Sequence, residues 1–237
     1  MKYYDLIKGG GFLMYEAILL SLKITGISTL ISSFLGIITA YIFNKHDFRG
    51  KSILETLFLM PIALPPTVVG YLIMLGIGKK STFGQFLYKN FGINILFTWQ
   101  AACIAAIVVS FPLIYQNAKN AFKYVDEDIK DAARVDGACE LKLFWFIIIP
   151  IALNGIIGGV ILAFVRALGE FGATLIVAGN IPGQTQTIPL LIYFSIGSRD
   201  NRTANILVVL IMVISMSLVL ITNKLLRRDE IQKKSTE

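Results

Sequence analysis

The sequence is dominated by five long apolar stretches that contain almost no charged side chains. They cover approximately residues 18–43, 53–77, 94–118, 146–167 and 204–223. An α-helix needs about 20 residues to cross a hydrocarbon core, and each stretch reaches that length. Charged residues make up 16% of the chain, against about 25% in soluble proteins. The sequence therefore predicts a single all-α membrane domain over residues 1–237, with about five transmembrane helices.

The few reactive side chains exclude several kinds of chemistry. His46 is the only histidine, and Cys103 and Cys139 lie far apart without metal-ligand spacing. Because catalytic metals are usually held by several His, Cys or carboxylate ligands, we expect no metal site, no catalytic residue and no cofactor. We interpret both cysteines as packing residues. The formal charge of +7 is spread over the loops, which indicates membrane topology rather than nucleic-acid binding.

We expect neither a cleaved signal peptide at the N-terminus nor a folded domain in the C-terminal tail. Glu16 and Lys23 interrupt the first apolar stretch, and its hydrophobicity continues beyond a signal-peptide core. We therefore expect this stretch to remain in the mature protein, with the ammonium of Lys23 extended towards the membrane interface. About 14 residues follow Lys224, which predicts a short tail without a folded domain.

The distribution of Lys and Arg predicts the orientation in the membrane. With the N-terminus outside, segments 44–52, 119–145 and 224–237 are cytoplasmic and carry about 13 Lys and Arg residues. The external segments carry about 7. Positive charge is enriched in cytoplasmic loops, so we predict an external N-terminus and a cytoplasmic C-terminus.

Two segments predict interrupted helices. Pro61, Pro65 and Pro66 remove three backbone donors from the second stretch, so its helix must kink or break. Residues 168–203 contain two apolar runs that are too short to cross, separated by a turn rich in Gly and Pro. Irregular backbone at membrane depth is tolerated inside protein or along a water-filled path. We call residues 168–203 the gate segment and predict that it lines a pathway.

The loop at residues 119–145 is dense in charge although it lies between two apolar stretches. Its apolar positions recur at three- and four-residue steps, which predicts one or two short amphipathic helices. Asp126, Glu127 and Asp128 favour a helix start, because the helix dipole attracts carboxylates there. Ala133 and Gly137 are four residues apart, and we expect them to form a strip without bulk on one helix face.

This loop resembles the cytoplasmic loop of ATP-binding-cassette importer permeases, written EAA, three residues, G, nine residues, I, one residue, LP. The spacing is kept by Asp131, Ala132, Ala133, Gly137, Ile147, Ile149 and Pro150. Asp131 for Glu and Ile149 for Leu are conservative departures. The resemblance implies a coupling helix that docks on a separate ATPase subunit. It implies the coupling residues Asp131, Ala132, Ala133, Arg134, Asp136, Gly137 and Glu140, followed by a rigid helix that begins near Phe146.

A second resemblance narrows the family. The stretch FVRALGEFGATLIVAGNIPGQTQTIPL, at 164–190, is similar to molybdate importer permeases, and sulfate permeases are close relatives. The resemblance implies the type I importer permease fold and a non-catalytic subunit that transports molybdate, with tungstate as a second cargo. The implied partners are two copies of an ABC ATPase, an extracytoplasmic molybdate-binding protein and a second copy of this chain, in a prokaryotic cell membrane. We expect the binding protein to meet residues 78–95 and 195–203.

The gate segment offers neutral donors for an anion that must exchange its water while it crosses. Our candidate pathway residues are Arg166, Glu170, Gly172, Asn180, Gly183, Thr185 and Thr187. Donors near the turn pass an anion or satisfy the turn itself, and the sequence leaves both readings open. Arg166 and Glu170 are four residues apart, which predicts an ion pair that holds the gate segment. Gly155 and Gly159 have the spacing of a helix-packing motif.

Other kinds of function fit the sequence less well. The stretch GIGKKS at 76–81 lacks the first glycine of a phosphate-binding loop, so we expect the ATP site on another polypeptide. A carrier driven by an ion gradient usually places titratable groups near mid-bilayer, whereas Glu16, Glu55 and Glu170 lie near the ends of apolar stretches. An intramembrane enzyme needs a positioned nucleophile, base or metal. The sequence has one histidine, in a loop, and no cluster of carboxylates at bilayer depth, which argues against such an enzyme. A sulfate or thiosulfate importer permease is the closer alternative, and it differs in cargo rather than in mechanism.

Overall fold

The computed structural model describes the backbone of residues 2–234 and the side chains of residues 11–225. Within this part of the chain all regular structure is helical, and no strand is present. The helices are α1 (Lys2–Lys45), α2 (Lys51–Ala63), α3 (Pro66–Ile77), α4 (Thr82–Phe91), α5 (Trp99–Lys123), α6 (Glu127–Val135), α7 (Glu140–Leu143), α8 (Ile149–Leu168), α9 (Gly172–Ala178), α10 (Ile188–Gly197) and α11 (Asn201–Lys234). A π-helical turn, Phe144–Ile148, joins α7 to α8.

Four stretches of helix in the described residues are long and apolar enough to cross a membrane. They are Gly11–Lys45, Trp99–Lys123, Glu140–Leu168 and Asn201–Leu225. The pair α2 and α3 passes the same test only together, and the two helices are bent by 118° where they meet. The fold is therefore an all-helical membrane bundle with four spans, or five if the bent pair counts as one.

The bend between α2 and α3 follows from the prolines. Leu64 is extended at ψ 148°, because the residue before a proline is disfavoured in helical conformation. Pro65 and Pro66 then open α3 without amide donors, which a first helical turn does not need. Pro61 lies inside α2 and does not end it.

Two helix boundaries differ from the sequence prediction. The segment 78–95, expected as a connecting loop, contains α4. The stretch expected from residue 94 becomes helical only at Trp99, where Thr98 Oγ1 accepts a hydrogen bond from the amide of Ala101 at 3.4 Å. Just before it, Phe97 has φ 62° and its amide donates to the carbonyl of Val177 at 2.9 Å. This long-range bond to α9 fixes the entry to α5 and has no local sequence signal.

The helix α5 is the centre of the bundle. On one side α1 runs parallel to it, with Ser28 Oγ donating to the carbonyl of Cys103 at 3.1 Å. On the other side α8 runs antiparallel, and a Cβ at Gly159 would lie 2.6 Å from the Cβ of Asn117. Gly155 lies one turn away against Ala121. The glycine spacing therefore packs α8 directly onto α5, as predicted.

The bundle has two distinct ends. Lys45 and Glu140, at the end of α1 and the start of α7, form an ion pair at 2.8 Å. We call this the α6 end. At the opposite end, which we call the gate end, Ala17 packs with Leu191 and Leu207. The predicted tail at 224–237 falls mostly outside the residues whose side chains are described.

Candidate functional site

The helix α6 starts where the sequence predicted a helix start. Asp126 Oδ1 accepts a hydrogen bond from the amide of Asp128 at 3.1 Å, which satisfies a donor of the first turn. The helix ends at Val135, and Gly137 follows with φ +84°, a conformation that glycine adopts without strain. The amide of Gly137 donates to the carbonyl of Arg134 at 3.0 Å. A short, capped helix therefore lies at this end of the bundle.

The predicted strip of Ala133 and Gly137 is wrong as a face of α6. Ala133 packs against the buried cluster around Phe122, and Gly137 lies beyond the end of the helix. The exposed side chains of α6 include Ile129 and Val135, of which Val135 is 86% exposed. The spacing of small residues located the helix correctly, but tertiary packing chose which side turns inward.

The charged residues at this end form an ion-pair network within the chain. Arg134 contacts Asp131 at 2.6 Å and Glu140 at 3.3 Å. Glu140 also contacts Lys45 at 2.8 Å and accepts a hydrogen bond from the Tyr41 hydroxyl at 3.3 Å. One carboxylate thus joins α6, α7 and the end of α1. Arg134 and Glu140 were predicted as coupling residues, and here they position the helices.

A cavity of about 130 Å³ lies beneath this network and is lined by both acidic and basic side chains. Lys130 lines it and is buried, with its ammonium 2.8 Å from Glu127. The burial of Lys130 has no signal in the sequence, because a charged residue in a charged loop is normally exposed. By contrast Cys139, expected to pack, is exposed next to α7.

The helix that follows the network runs without interruption to the gate end. It extends over Glu140–Leu168 through the π-helical turn, so it begins about six residues earlier than the predicted start near Phe146. The ring of Phe144 lies 4.5 Å from that of Tyr41, which packs the start of this helix onto α1. The ion-pair network therefore connects α6 to the start of one continuous helix.

The predicted ion pair is present at the gate end. Arg166 Nη1 lies 2.7 Å from Glu170 Oε2, and Glu170 Oε1 accepts a hydrogen bond from the amide of Ala173 at 2.8 Å. The Glu170 side chain is 2% exposed. It therefore connects the end of α8 to the first turn of α9 in a nearly water-free position.

Gly172 permits a close approach between α9 and α3. A Cβ at this position would lie 2.8 Å from the Cβ of Pro66. On the other helix, a Cβ at Gly70 would lie 2.8 Å from the Cα of Ala173. The pathway candidate Gly172 is thus a packing position, and the bent pair α2 and α3 is held against the gate segment.

The polar residues of the gate turn mainly bond to one another. Thr185 Oγ1 accepts from the amide of Ile181 at 3.0 Å, and Gln186 Nε2 donates to Asn180 Oδ1 at 2.9 Å. These contacts support the reading in which Thr185 and Asn180 satisfy the turn. Thr187 Oγ1 is buried and has no hydrogen-bond partner among the described residues.

Two further features complete the gate end. Gly183 has φ +73°, and a Cβ there would lie 3.1 Å from Glu16 Oε2, so α1 borders the turn. In the segment expected to meet a binding protein, Asp200 Oδ1 accepts from the amide of Thr203 at 3.2 Å. Hydrogen bonds from the side chain and backbone of Thr203 hold the pKa of Asp200 below its usual range.

Residues 32–229 match the family described as "Binding-protein-dependent transport system inner membrane component". The chain is 45% identical over 201 residues to YvgM of Bacillus subtilis, which is named for a molybdenum transport system permease, covering 85% of this chain and 88% of that one. It is 43% identical to the molybdenum transport system permease protein ModB of Escherichia coli K12, over 76% of this chain and 78% of that one. The sulfate transport system permease protein CysW of Synechococcus elongatus is 34% identical, over 76% of this chain and 62% of that one.

Solved structures show the same fold at low sequence identity. A chain of the MetNI methionine ABC transporter has a TM-score of 0.69 at 16% identity, over 92% of this chain and 96% of that one. A chain of a bacterial alginate ABC importer has a TM-score of 0.67 at 19% identity, over 90% and 79%. The all-helical fold of this chain is thus the fold of ABC importer permeases. The chain belongs to the family of binding-protein-dependent transport system inner membrane components.

Proposed function

We propose that the chain is the permease subunit of an ATP-driven importer for molybdate, with tungstate as a second cargo. The observation that carries the proposal is the difference in identity between relatives. Four relatives named for molybdenum transport range from 34% to 45% identity, whereas the sulfate permease proteins cysT and CysW are both 34% identical. The chain itself contributes no ATP hydrolysis, which belongs to a partner.

In this proposal the α6 end is cytoplasmic and docks on an ABC ATPase. The apolar side chains Ile129 and Val135 of α6 are exposed, and the described chain leaves them uncovered. Closure of two ATPase subunits on ATP would push α6, and the network at Glu140 would pass that displacement to α8. The two-state element is then the position of α8 relative to α5.

At the gate end, the same helix acts on α9 through Arg166 and Glu170. Because Glu170 is neutralised by Arg166 and by the amide of Ala173, its charge does not oppose passage of a dianion. We propose that two copies of the chain enclose the pathway, since one chain has too few spans to surround a hydrated tetrahedral anion. An extracytoplasmic molybdate-binding protein would deliver the cargo to the surface that includes residues 195–203.

The orientation can be tested with a cysteine that the chain already has. Cys139 is exposed beside α7, whereas Cys103 is buried in the bundle. In intact cells, a membrane-impermeant maleimide should leave the protein unlabelled, and in inside-out vesicles it should label Cys139. A Cys139→Ser variant is the matched control for labelling elsewhere. Labelling in intact cells would place the α6 end outside and remove the ATPase from the proposal.

A transport assay with labelled molybdate identifies the cargo. Cells that lack molybdate uptake would receive this chain with its ATPase and binding protein, and labelled molybdate would be measured with and without excess sulfate. We expect molybdate uptake that sulfate does not abolish and that tungstate reduces by competition. Uptake of sulfate without molybdate would assign the chain to sulfate import, the second candidate that the 34% relatives support.

A further inference from the structure

The helix α4 has an aromatic face that no other part of the described chain covers. Phe83, Phe86, Tyr88 and Phe91 are each more than half exposed, and the single buried residue within the helix is Gly84. Helices of this length are unstable in water unless an apolar face is packed. A surface outside the described residues must therefore cover α4.

The remaining surface of α4 and its approach are basic. At 100° per residue, Thr82, Gln85 and Lys89 share one arc, opposite the aromatic arc. Lys79 and Lys80 precede the helix, and no Asp or Glu occurs between residues 78 and 98. The ammonium of Lys79 lies 4.9 Å from the ring centroid of Tyr88. Aromatic residues on one side and lysines on the other are typical of helices that lie in a membrane interface.

The position of α4 in the fold places it at the membrane surface. It follows the end of α3 at Ile77 and precedes the start of α5 at Trp99. Ser81 makes the turn rigid, because its Oγ accepts from the amide of Gly84 and donates to the carbonyl of Gly78, both at 2.8 Å. Trp99 marks the same level, with the ammonium of Lys23 3.9 Å above its ring, and tryptophan is enriched at membrane interfaces.

We propose that α4 lies in the headgroup region of the bilayer at the gate end, with its aromatic face towards the acyl chains. Its lysines then contact anionic lipid phosphates, and the lack of carboxylates in this segment complements that charge. Since α3 packs on α9 through Gly70 and Ala173, the lipid contact holds one wall of the gate in place. The proposal rests on the membrane fold and is independent of the cargo.

The test places a nitroxide label on each face of α4. In a Cys139→Ser background, Phe86→Cys and Gln85→Cys variants of the full chain would be labelled and reconstituted in nanodiscs of phosphatidylcholine and phosphatidylglycerol. We expect the label at position 86 to be relaxed by oxygen, at a depth of about 5–10 Å below the phosphates. The matched label at position 85 should be relaxed by a water-soluble nickel complex.

Three results would overturn the proposal. The first is equal nickel accessibility at both positions, and the second is spin–spin broadening at position 86 that assigns the face to a second copy of the chain. The third is shielding of position 86 that appears only after the binding protein is added.

The electrostatic part has its own readout. Replacing Lys79, Lys80 and Lys89 by Gln, or omitting phosphatidylglycerol, should shift the label at position 86 towards water. A Lys123→Gln variant at the α6 end is the control and should cause no shift. An unchanged depth in both experiments would overturn the contact between the lysines and lipid phosphates.

Discussion

The two ends of the continuous helix Glu140–Leu168 are both fastened by ion pairs, but water reaches them to very different degrees. At the gate end the Glu170 side chain is 2% exposed, whereas at the α6 end Lys45 and Glu140 are 36% and 48% exposed. Removing one partner of a buried pair leaves a charge without compensation, while an exposed pair is screened and contributes little. The gate joint, formed by Arg166, Glu170 and the amide of Ala173, is therefore stiff. The α6 joint, formed by Lys45 and Glu140, can be adjusted.

This difference suits a helix that transmits a movement. A joint that must change when a partner docks is better built from screened ion pairs, which re-form at low cost. A joint that must hold a gate element in register is better built from a desolvated carboxylate with several fixed donors. The following variants break or sharpen this comparison.

The variant Glu170→Ala should have the largest effect. It leaves Arg166 without its carboxylate and the amide of Ala173 without its acceptor. We expect a loss of about 3 kcal/mol in the free energy of unfolding, the lower part of the range for a buried pair, because Arg166 is one-third exposed. Denaturation in detergent measures this loss, and transport should fall with it.

Glu170→Gln is the matched control, since it keeps a carbonyl oxygen for the amide of Ala173 and removes only the charge. Its loss in the free energy of unfolding should be smaller than that of Glu170→Ala. If Glu170→Ala unfolds like the wild type, the gate joint is no stiffer than the α6 joint and the comparison is wrong.

Gly159→Ala should disturb the helix that connects the α6 joint to the gate joint. The new Cβ would lie 2.6 Å from Asn117, so α8 must move away from α5, at a cost of about 1–3 kcal/mol. We expect ATP hydrolysis by the assembled importer to continue while transport falls. Gly26→Ala is the control, because its Cβ meets nothing within 4 Å. Normal transport by Gly159→Ala would mean that close contact of α8 with α5 is not needed.

Gly137→Arg should act at the α6 end alone. An arginine at φ +84° is strained by roughly 1–2 kcal/mol, and it adds a long cationic side chain just beyond the end of α6, where a Cβ would meet nothing within 4 Å. We expect the variant to lose the ATPase on co-purification, with the gate end unaffected. Gly137→Asn tolerates this backbone conformation and should retain more of the ATPase. Co-purification of Gly137→Arg at wild-type yield would remove this surface from the docking proposal.

Removal of the charge at Lys45 should have the smallest effect. Lys45→Gln breaks only its pair with Glu140 and is expected to lose about 0.2–1 kcal/mol of stability, whereas Glu140→Gln also weakens the contacts with Arg134 and Tyr41 and should lose more. The loss from Lys45→Gln should shrink at high salt, because both side chains are exposed. Thermal denaturation at two salt concentrations measures it, and a loss as large as that of Glu170→Ala would contradict the contrast between the joints.

Local patterns in the sequence located many features of the site. The prolines at 65 and 66 predicted the break that separates α2 from α3, and Asp126 predicted the start of α6. The four-residue spacing of Arg166 and Glu170 predicted their ion pair. Each of these depends on residues close together in the chain, where backbone geometry and side-chain reach decide the outcome.

Other features depended on distant residues and had no local signal. The inward position of Ala133 depends on the cluster around Phe122, and the late start of α5 depends on the bond from Phe97 to Val177. The role of Glu140 depends on Lys45, which is far away in the sequence. Periodicity describes the faces of a helix, but it does not say which face meets which neighbour.

The sequence by itself determined that the chain is a helical membrane protein with a charged loop of a known spacing and a broken segment after its fourth apolar stretch. These properties follow from hydrophobicity, proline chemistry and motif spacing, which act over short distances along the chain. The tertiary structure decided which face of α6 is exposed, how the donors of the gate turn are used, and how strongly each end of the helix Glu140–Leu168 is fastened. Those outcomes are set by packing and by the access of water, which arise only when distant segments meet.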